Sequence, residues 1–387
     1  MVNKSTSKPG EFDLKTGIQN HVWIEVNLSA LTHNLDVIRR EVGPKVNVMG
    51  IVKSNAYGHG ISEVARYLCD RVDFLGVADL NEAAHLRNIG IQSPLLIFGY
   101  IFPQDLEECL EKNVSVTISS LEQAKALSQR AEHLGKLLKV HVKVDTGMGR
   151  MGILADEAKE MILTISQLPN LVLEGLMTHF SVADSPENPF TVEQIEKFDN
   201  IVNYLERKGI YILYIHAANS AGIFGFKKSH FNMVRPGISV YGIHPTCRDK
   251  KKNPLIPVLS LKTKVHLIKK LPKGHSVSYG RNFRMPEDGY IAVLSIGYGH
   301  GYAFALSEKS RVLIGGKSYP VCGNVCMDYT LVHLGQRHEI KTGDEVVLIG
   351  SQGNESISAE ELAQLSGTIP YEVLTRLAQD IERWYVE

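Results

Sequence analysis

Eight short apolar runs set a rhythm that few folds can carry. They are Val46–Val52, Phe74–Ala78, Leu95–Gly99, Val114–Ile118, Leu138–Val144, Leu171–Met177, Tyr211–Ile215 and Met233–Tyr241, rich in Val, Ile and Leu. Strands that are apolar on both faces belong to parallel sheets covered on both sides. Between them lie stretches with helical spacing. The segment 119–135 opens with a capping box, Ser119 with Glu122 or Ser120 with Gln123, and ends at Gly135. In 191–209 the residues Ile195, Phe198, Ile201, Val202 and Leu205 fall on one helical face, and Gly209 stops it. Eight such units in a row predict a (β/α)8 barrel, placed at residues 28–254. An open doubly wound sheet is the alternative. It would need another ligand loop, because neither Gly-x-Gly-x-x-Gly nor a P-loop Gly-Lys-Ser/Thr follows the first strand.

The period changes after Pro254. Residues 258–272 alternate apolar and polar, and 311–321 reads as a hairpin turning at Gly315-Gly316. Helical patterns return only at 358–367 and from Pro370 to Tyr385. The chain therefore predicts a second, mostly β domain over 255–387. A strand within residues 21–27 precedes the first barrel helix and is a candidate to join that second sheet. Residues 1–20 form a polar segment with no apolar core of a signal peptide.

Charge narrows the partners. Lys+Arg and Asp+Glu are equal at 42 each, so no general field draws nucleic acid or an anionic membrane. The basic run Lys250-Lys251-Lys252 sits between Pro245 and Pro254 and reads as a solvated linker. The five cysteines, Cys69, Cys109, Cys247, Cys322 and Cys326, are odd in number and irregularly spaced. That pattern predicts reduced thiols and a cytoplasmic protein. No run is long enough to span a bilayer.

In a barrel of this type the chemistry sits at the C-terminal ends of the strands. The first strand ends at Lys53, followed by "SNAYGHG". That lysine is either a solvated strand end or a desolvated amine held for carbonyl chemistry. The fifth strand ends in "KVDTGMGRMG" with Lys143, Asp145 and Arg150, the sixth at Thr178 and His179. The seventh delivers His216, Asn219, Ser220 and Gly222, and the eighth Arg235 and Gly237. "HAANSAGI" looks like a helix N-terminus, either a plain cap at Ser220 or an anion grip. A lysine for an aldehyde and a grip for a phosphate point together to pyridoxal phosphate.

The segments "VKSNAYGHG", "VDTGMGRMG", "THF", "ANSAG", "VRPGI", "VSYGR", "CMD" and "IPYEVL" stand in the order and spacing of the pyridoxal-phosphate alanine racemases. The chain resembles that family from about residue 22 to its end. The resemblance implies a homodimer with shared active sites acting on a small-molecule amino acid. It implies that Lys53 carries the cofactor and serves as one acid/base. Tyr279 of "VSYG" is implied to be the second base, reaching the barrel site of the other subunit. On its own residues Tyr279 reads as a turn aromatic before Gly280. By resemblance Arg235 faces the pyridine nitrogen, Arg150 the phenolic oxygen, and His179 the ring. Tyr57, Ser220, Gly237, Ile238 and Tyr371 match phosphate binders, with Asn219 in support. Tyr298, Met327 and Asp328 match the substrate end. The lysine matching Lys143 is carbamylated in some members.

Two departures stand out. The common "GYADG" is "GYGHG" here, with His300, and Asn324 stands where many members have arginine. They leave open serine or a broader amino-acid range. Three further readings compete. A non-catalytic pyridoxal-phosphate carrier would lack the β domain with Tyr279 and "CMD". A decarboxylase of like architecture is expected to place a carboxylate where Arg235 stands. A metal-dependent barrel hydrolase is disfavoured, because no His-x-His follows the first strand and no HExxH occurs.

Overall fold

Eight parallel strands close on themselves in a computed structural model that describes residues 21–246 and 253–387. The polar segment 1–20, Cys247 and the basic run up to Lys252 lie outside the described residues. The barrel strands are β1 (Asn47–Ile51), β2 (Phe74–Val77), β3 (Leu95–Ile97), β4 (Ser115–Ile118), β5 (Leu138–Asp145), β6 (Leu171–Met177), β7 (Tyr214–His216) and β8 (Met233–Val234). Each pairs in parallel with the next, and Met233 of β8 closes the ring against Asn47 of β1. The architecture is the expected (β/α)8 barrel with a mostly β C-terminal part.

The eighth strand is far shorter than its apolar run. Pro236 lacks the N–H a ladder needs, so pairing stops at Val234 and residues 239–242 curl into turns. Helix Leu121–His133 is capped by Ser120, whose side chain accepts from Gln123 N. Helix Phe190–Arg207 buries Ile195, Phe198, Ile201, Val202 and Leu205 on one face.

The described residues divide into two units, one of those within 27–258 with the last three residues, the other of residues 21–26 with Leu259–Trp384. In the second unit, strand Val22–Asn27 runs antiparallel to Leu259–Leu271, with Ile24 opposite Leu261. The long strand alternates buried and half-exposed residues from Leu259 to Val265. The hairpin Arg311–Ile314 to Lys317–Pro320 turns at Gly315 and Gly316, both at positive φ (59° and 76°), as a two-residue turn of this hand requires. Helix Ala359–Ser366 starts at Ser358 and ends at Gly367. The helical reading of 370–385 is corrected: a helix covers only Pro370–Thr375, and Glu382–Val386 is an edge strand beside Val22–Asn27. Stacking of Trp384 on Trp23, centroids 5.0 Å apart, favours the extended form there. Among the described residues, no helix is long and apolar enough to cross a membrane.

Candidate active site

β1 hands the chain to Lys53 and then to an unusual turn. Ser54, Asn55, Ala56 and Tyr57 all hold φ between 52° and 55°, one turn of left-handed helix without a glycine. Each L-residue there costs about 1–2 kcal/mol. The turn is held by side chains that compensate. Glu82 accepts from Ser54 N (2.6 Å) and Ala78 N (2.7 Å), and Asn55 Oδ1 accepts from Ile61 N (2.8 Å). Gly58 continues in the left-handed region at φ 84°, which only glycine adopts cheaply. Lys53 is thereby fixed at the strand end, half-buried. Burial, then Arg150 and Arg235, pull its pKa below the ordinary lysine value against the opposing pull of Glu82.

β5 ends in a tight loop organised by Asp145. Its Oδ1 accepts from the backbone N–H groups of Gly147 (2.8 Å), Met148 (2.8 Å) and Gly149 (3.1 Å), its Oδ2 from Arg150 (3.2 Å). Burial alone would raise its pKa, but the four donors outweigh it and hold the carboxyl below its usual value. The loop presents Arg150, which is exposed. Lys143 is buried, and burial, then Arg150 and Arg235, bring its pKa down to about 8.

Arg235 is buried beneath this cluster, and burial lowers its pKa. Nη1 donates to His216 Nδ1 (2.9 Å) and to the His216 carbonyl (2.8 Å). Nη2 donates to the carbonyls of Thr178 (2.7 Å) and Ala217 (2.9 Å), with His179 Nδ1 at 3.3 Å. The four Nη hydrogens are committed, and no acceptor among the described residues takes the Nε–H. His179 is held well below the usual imidazole pKa by burial, then Arg235 and Arg150. It is neutral and faces cations.

The loops after β7 and β8 meet at Ser220. Asn219, not Ser220, caps the short helix Ser220–Gly225, its Oδ1 accepting from Gly222 N (2.9 Å). That frees Ser220 Oγ to accept from Gly237 N (3.0 Å), Ser239 N (3.2 Å) and Ser239 Oγ (3.0 Å). A Cβ on Gly237 would lie 2.5 Å from Tyr57 Oη. Ile238 is buried, and its N–H meets no acceptor among the described residues. Tyr57, Ser220, Gly237 and Ile238 thus form a small cradle of hydroxyls and backbone that a single methyl would fill. These groups could hold a phosphate, and Lys53 and Arg235 could meet the aldehyde and ring nitrogen of the same molecule.

The remaining residues lie in the second unit. Tyr279 is 73% exposed, on a turn where Ser278, Gly280 and Arg281 have positive φ. Asn324 Nδ2 donates to the Tyr279 carbonyl (3.0 Å), and Ser278 Oγ to the Asn324 carbonyl (2.6 Å). Arg281 turns to Ser276 Oγ (3.1 Å). Tyr298 N and Gly299 N donate to the carbonyls of Cys326 (3.0 Å) and Met327 (2.9 Å), which joins "GYGHG" to "CMD". Tyr298, Met327 and Tyr371 are all exposed, and a Cβ added at Gly299 would lie 3.8 Å from Asp328 Oδ1. His300 Nδ1 accepts from Gly297 N (3.3 Å). Glu82, the brace of the lysine turn, and the polar residues His141 and Glu174 inside the barrel strands carry no motif. A glutamate within the otherwise apolar β6, and a histidine on the polar face of β5, were the available signal.

Fold and side chains are those of a barrel whose lysine and hydroxyl cradle could hold a phosphorylated aldehyde cofactor. The alanine racemase N-terminal domain family matches residues 26–245 and the alanine racemase C-terminal domain family residues 258–385. An alanine racemase of Carboxydothermus hydrogenoformans is 42% identical over 368 residues, 94% of this chain and 99% of that one. A solved alanine racemase of Clostridium difficile 630 superposes with a TM-score of 0.89 at 35% identity, covering 95% and 96%. A histidine racemase of Leuconostoc mesenteroides superposes with a TM-score of 0.86 at 30% identity, covering 95% and 99%. The chain belongs to the alanine racemase family and is a pyridoxal-phosphate-dependent racemase, an isomerase.

Proposed function

We propose that this chain interconverts L- and D-alanine with two opposed bases, as a cytoplasmic homodimer with shared sites, supplying D-alanine to a peptidoglycan wall. Bound pyridoxal phosphate supplies an electron sink that acidifies the α-hydrogen of an attached amino acid. The chain's own residues do the rest. Tyr57, Ser220, Gly237, Ile238 and Tyr371 grip the phosphate, with Asn219 bracing the loop. Arg235 offers its Nε–H to the ring nitrogen, and a fixed cation there disfavours protonation of that nitrogen. The sink is weakened, which restrains transamination. Arg150 takes the phenolic oxygen.

Lys53 moves the α-proton on one face. Its lowered pKa supports that role, because a general base works best near the operating pH. Tyr279 of each subunit serves the opposite face of its partner's site. Its exposure on a braced turn supports a reach beyond its own chain. Tyr298, Met327 and Asp328 line the substrate end. Lys143, with a pKa near 8, has an uncharged fraction able to add carbon dioxide as a carbamate, releasing a proton. That would place an anion among Arg150, Arg235 and Lys53.

The observation that carries this reading is the partly buried Lys53 amine, deprotonated more easily by burial and two guanidinium groups. The test is proton NMR of the purified, cofactor-loaded protein with L- or D-alanine in heavy water. Inversion with α-deuteration is expected from either enantiomer, lost in Lys53→Ala. Release of carbon dioxide, or inversion of serine or histidine but not alanine, would overturn it.

A further inference from the structure

A line of hydrogen bonds runs from Arg235 through side chains of the barrel strands. His216 Nδ1 accepts from Arg235 Nη1 (2.9 Å), and His216 Nε2 meets His141 Nδ1 (2.8 Å). His141 Nε2 meets Glu174 Oε2 (3.2 Å), which also accepts from Ser115 Oγ (2.5 Å). Lys139 Nζ lies 3.6 Å from Glu174 Oε1, half-exposed on β5. The line runs from the residue after β8 through β7 and β5 to β6.

Its polarity follows from its ends. Arginine only donates, so His216 Nδ1 must be a bare acceptor and its proton must sit on Nε2. That proton goes to His141 Nδ1, so His141 carries its own proton on Nε2 and gives it to the carboxylate. An ionised glutamate only accepts. Both ends demand the same arrangement, with both rings neutral. Burial pushes both imidazole pKa values down, and the donors on Glu174 outweigh its burial to keep it a carboxylate. The His141 ring is also boxed in place. A Cβ at Gly175 would lie 2.2 Å from its Nδ1, Tyr214 stacks on it at 6.1 Å and 16°, and Phe74 meets it edge-on at 5.9 Å.

We propose that Glu174, acting through His141 and His216, is a positioning residue for Arg235, fixing the guanidinium so that its Nε–H alone faces the cofactor ring nitrogen. The proposal rests on the reading of Arg235 given above. With both Nη groups pinned by His216 and the carbonyls, the guanidinium has one orientation. Without the Glu174 acceptor, a buried His141 Nε2–H is orphaned. The opposite tautomer pair would then relieve it but turn a His216 N–H against Arg235. Either way the anchor of Nη1 loosens.

Two measurements on Glu174→Leu test this. Long-range nitrogen–proton NMR of the protein without cofactor reports histidine tautomers directly. Nε2–H forms of His141 and His216 are expected in the wild type, and mixed tautomers in the variant. Nδ1–H forms in the wild type would overturn the polarity. The second measurement compares equilibrium binding of pyridoxal phosphate with its 1-deaza analogue, which lacks the ring nitrogen. A preference on the order of tenfold for the nitrogen is expected in the wild type, one hydrogen bond to a charged group. Glu174→Leu should shrink that ratio at least several-fold, whereas a merely structural defect would weaken both ligands equally and sink the proposal. No preference in the wild type would instead refute the Arg235 reading. If Glu174→Leu fails to fold, Gly175→Ala, which displaces the His141 ring, is measured the same way with the same outcomes.

Discussion

Replacing Ser54 by glycine should stabilise the protein while weakening its hold on the cofactor. Ser54 lies at φ 55° and ψ 53°, is exposed, and is held through its backbone, the N–H given to Glu82 and the carbonyl accepting from Gly58 N (3.1 Å), which any residue keeps. An L-residue in that conformation costs about 1–2 kcal/mol, which glycine avoids. Glycine in turn loses more freedom on folding, about 0.5–1 kcal/mol. The difference is a gain of about 0.5–1 kcal/mol, a rise in Tm of a few degrees at most. Ser54→Ala keeps the left-handed cost and is the control, expected within about 0.5 kcal/mol of the wild type. Urea unfolding at one fixed protein concentration measures all three, because the association proposed above would contribute to apparent stability. The same glycine lets the Lys53 turn relax, so pyridoxal phosphate should bind several-fold more weakly through lost preorganisation. If Ser54→Gly is no more stable than Ser54→Ala, the strain ascribed to this turn is absent.

Asp145→Asn keeps one acceptor but turns an amide N–H2 toward the Arg150 N–H, and should cost about 2 kcal/mol in urea unfolding. The Asp145 pKa is depressed in the fold, so its contribution is complete above the ordinary aspartate value and fades as pH falls through the folded value. The variant should therefore lose less stability than the wild type on acidification, and parallel pH profiles would contradict this. Gly237→Ala puts a methyl 2.5 Å from Tyr57 Oη and should lower affinity for pyridoxal phosphate by tenfold or more while sparing pyridoxal without phosphate. Equal losses for both ligands would mean the cradle does not hold the phosphate. Carbon-13 bicarbonate NMR should show a carbamate that grows as pH rises through about 8 and is missing in Lys143→Ala.

The barrel was legible because strands buried on both faces leave uninterrupted apolar runs, and loops between them carry caps. Its eighth strand was read too long, since Ile238, Val240 and Tyr241 are buried in turns rather than in the sheet and burial alone looks like a strand. The end of the chain misled for a related reason: Trp384 is fixed by stacking on Trp23, a partner over three hundred residues away. Motifs marked the residues that gather at the barrel mouth, Lys53, Lys143, Arg150, His179 and Arg235, because Lys143 lies near the end of a strand and the others follow one. They could not mark the left-handed turn after Lys53. No glycine occupies 54–57, and the conformation is imposed by Glu82 and Asn55 through contacts that local propensity does not contain. Nor could spacing tell that Asn219 rather than Ser220 caps its helix, which frees the serine hydroxyl for the next loop.

Subunit mixing addresses the shared two-base site most directly. Lys53→Ala and Tyr279→Phe are each made, each assayed alone, then unfolded together and reassembled. With random pairing, half the dimers are mixed and each mixed dimer has one site with both bases intact, so about a quarter of wild-type racemisation should return. A mixture as inactive as its parents would mean that Lys53 and Tyr279 do not serve one site from two chains.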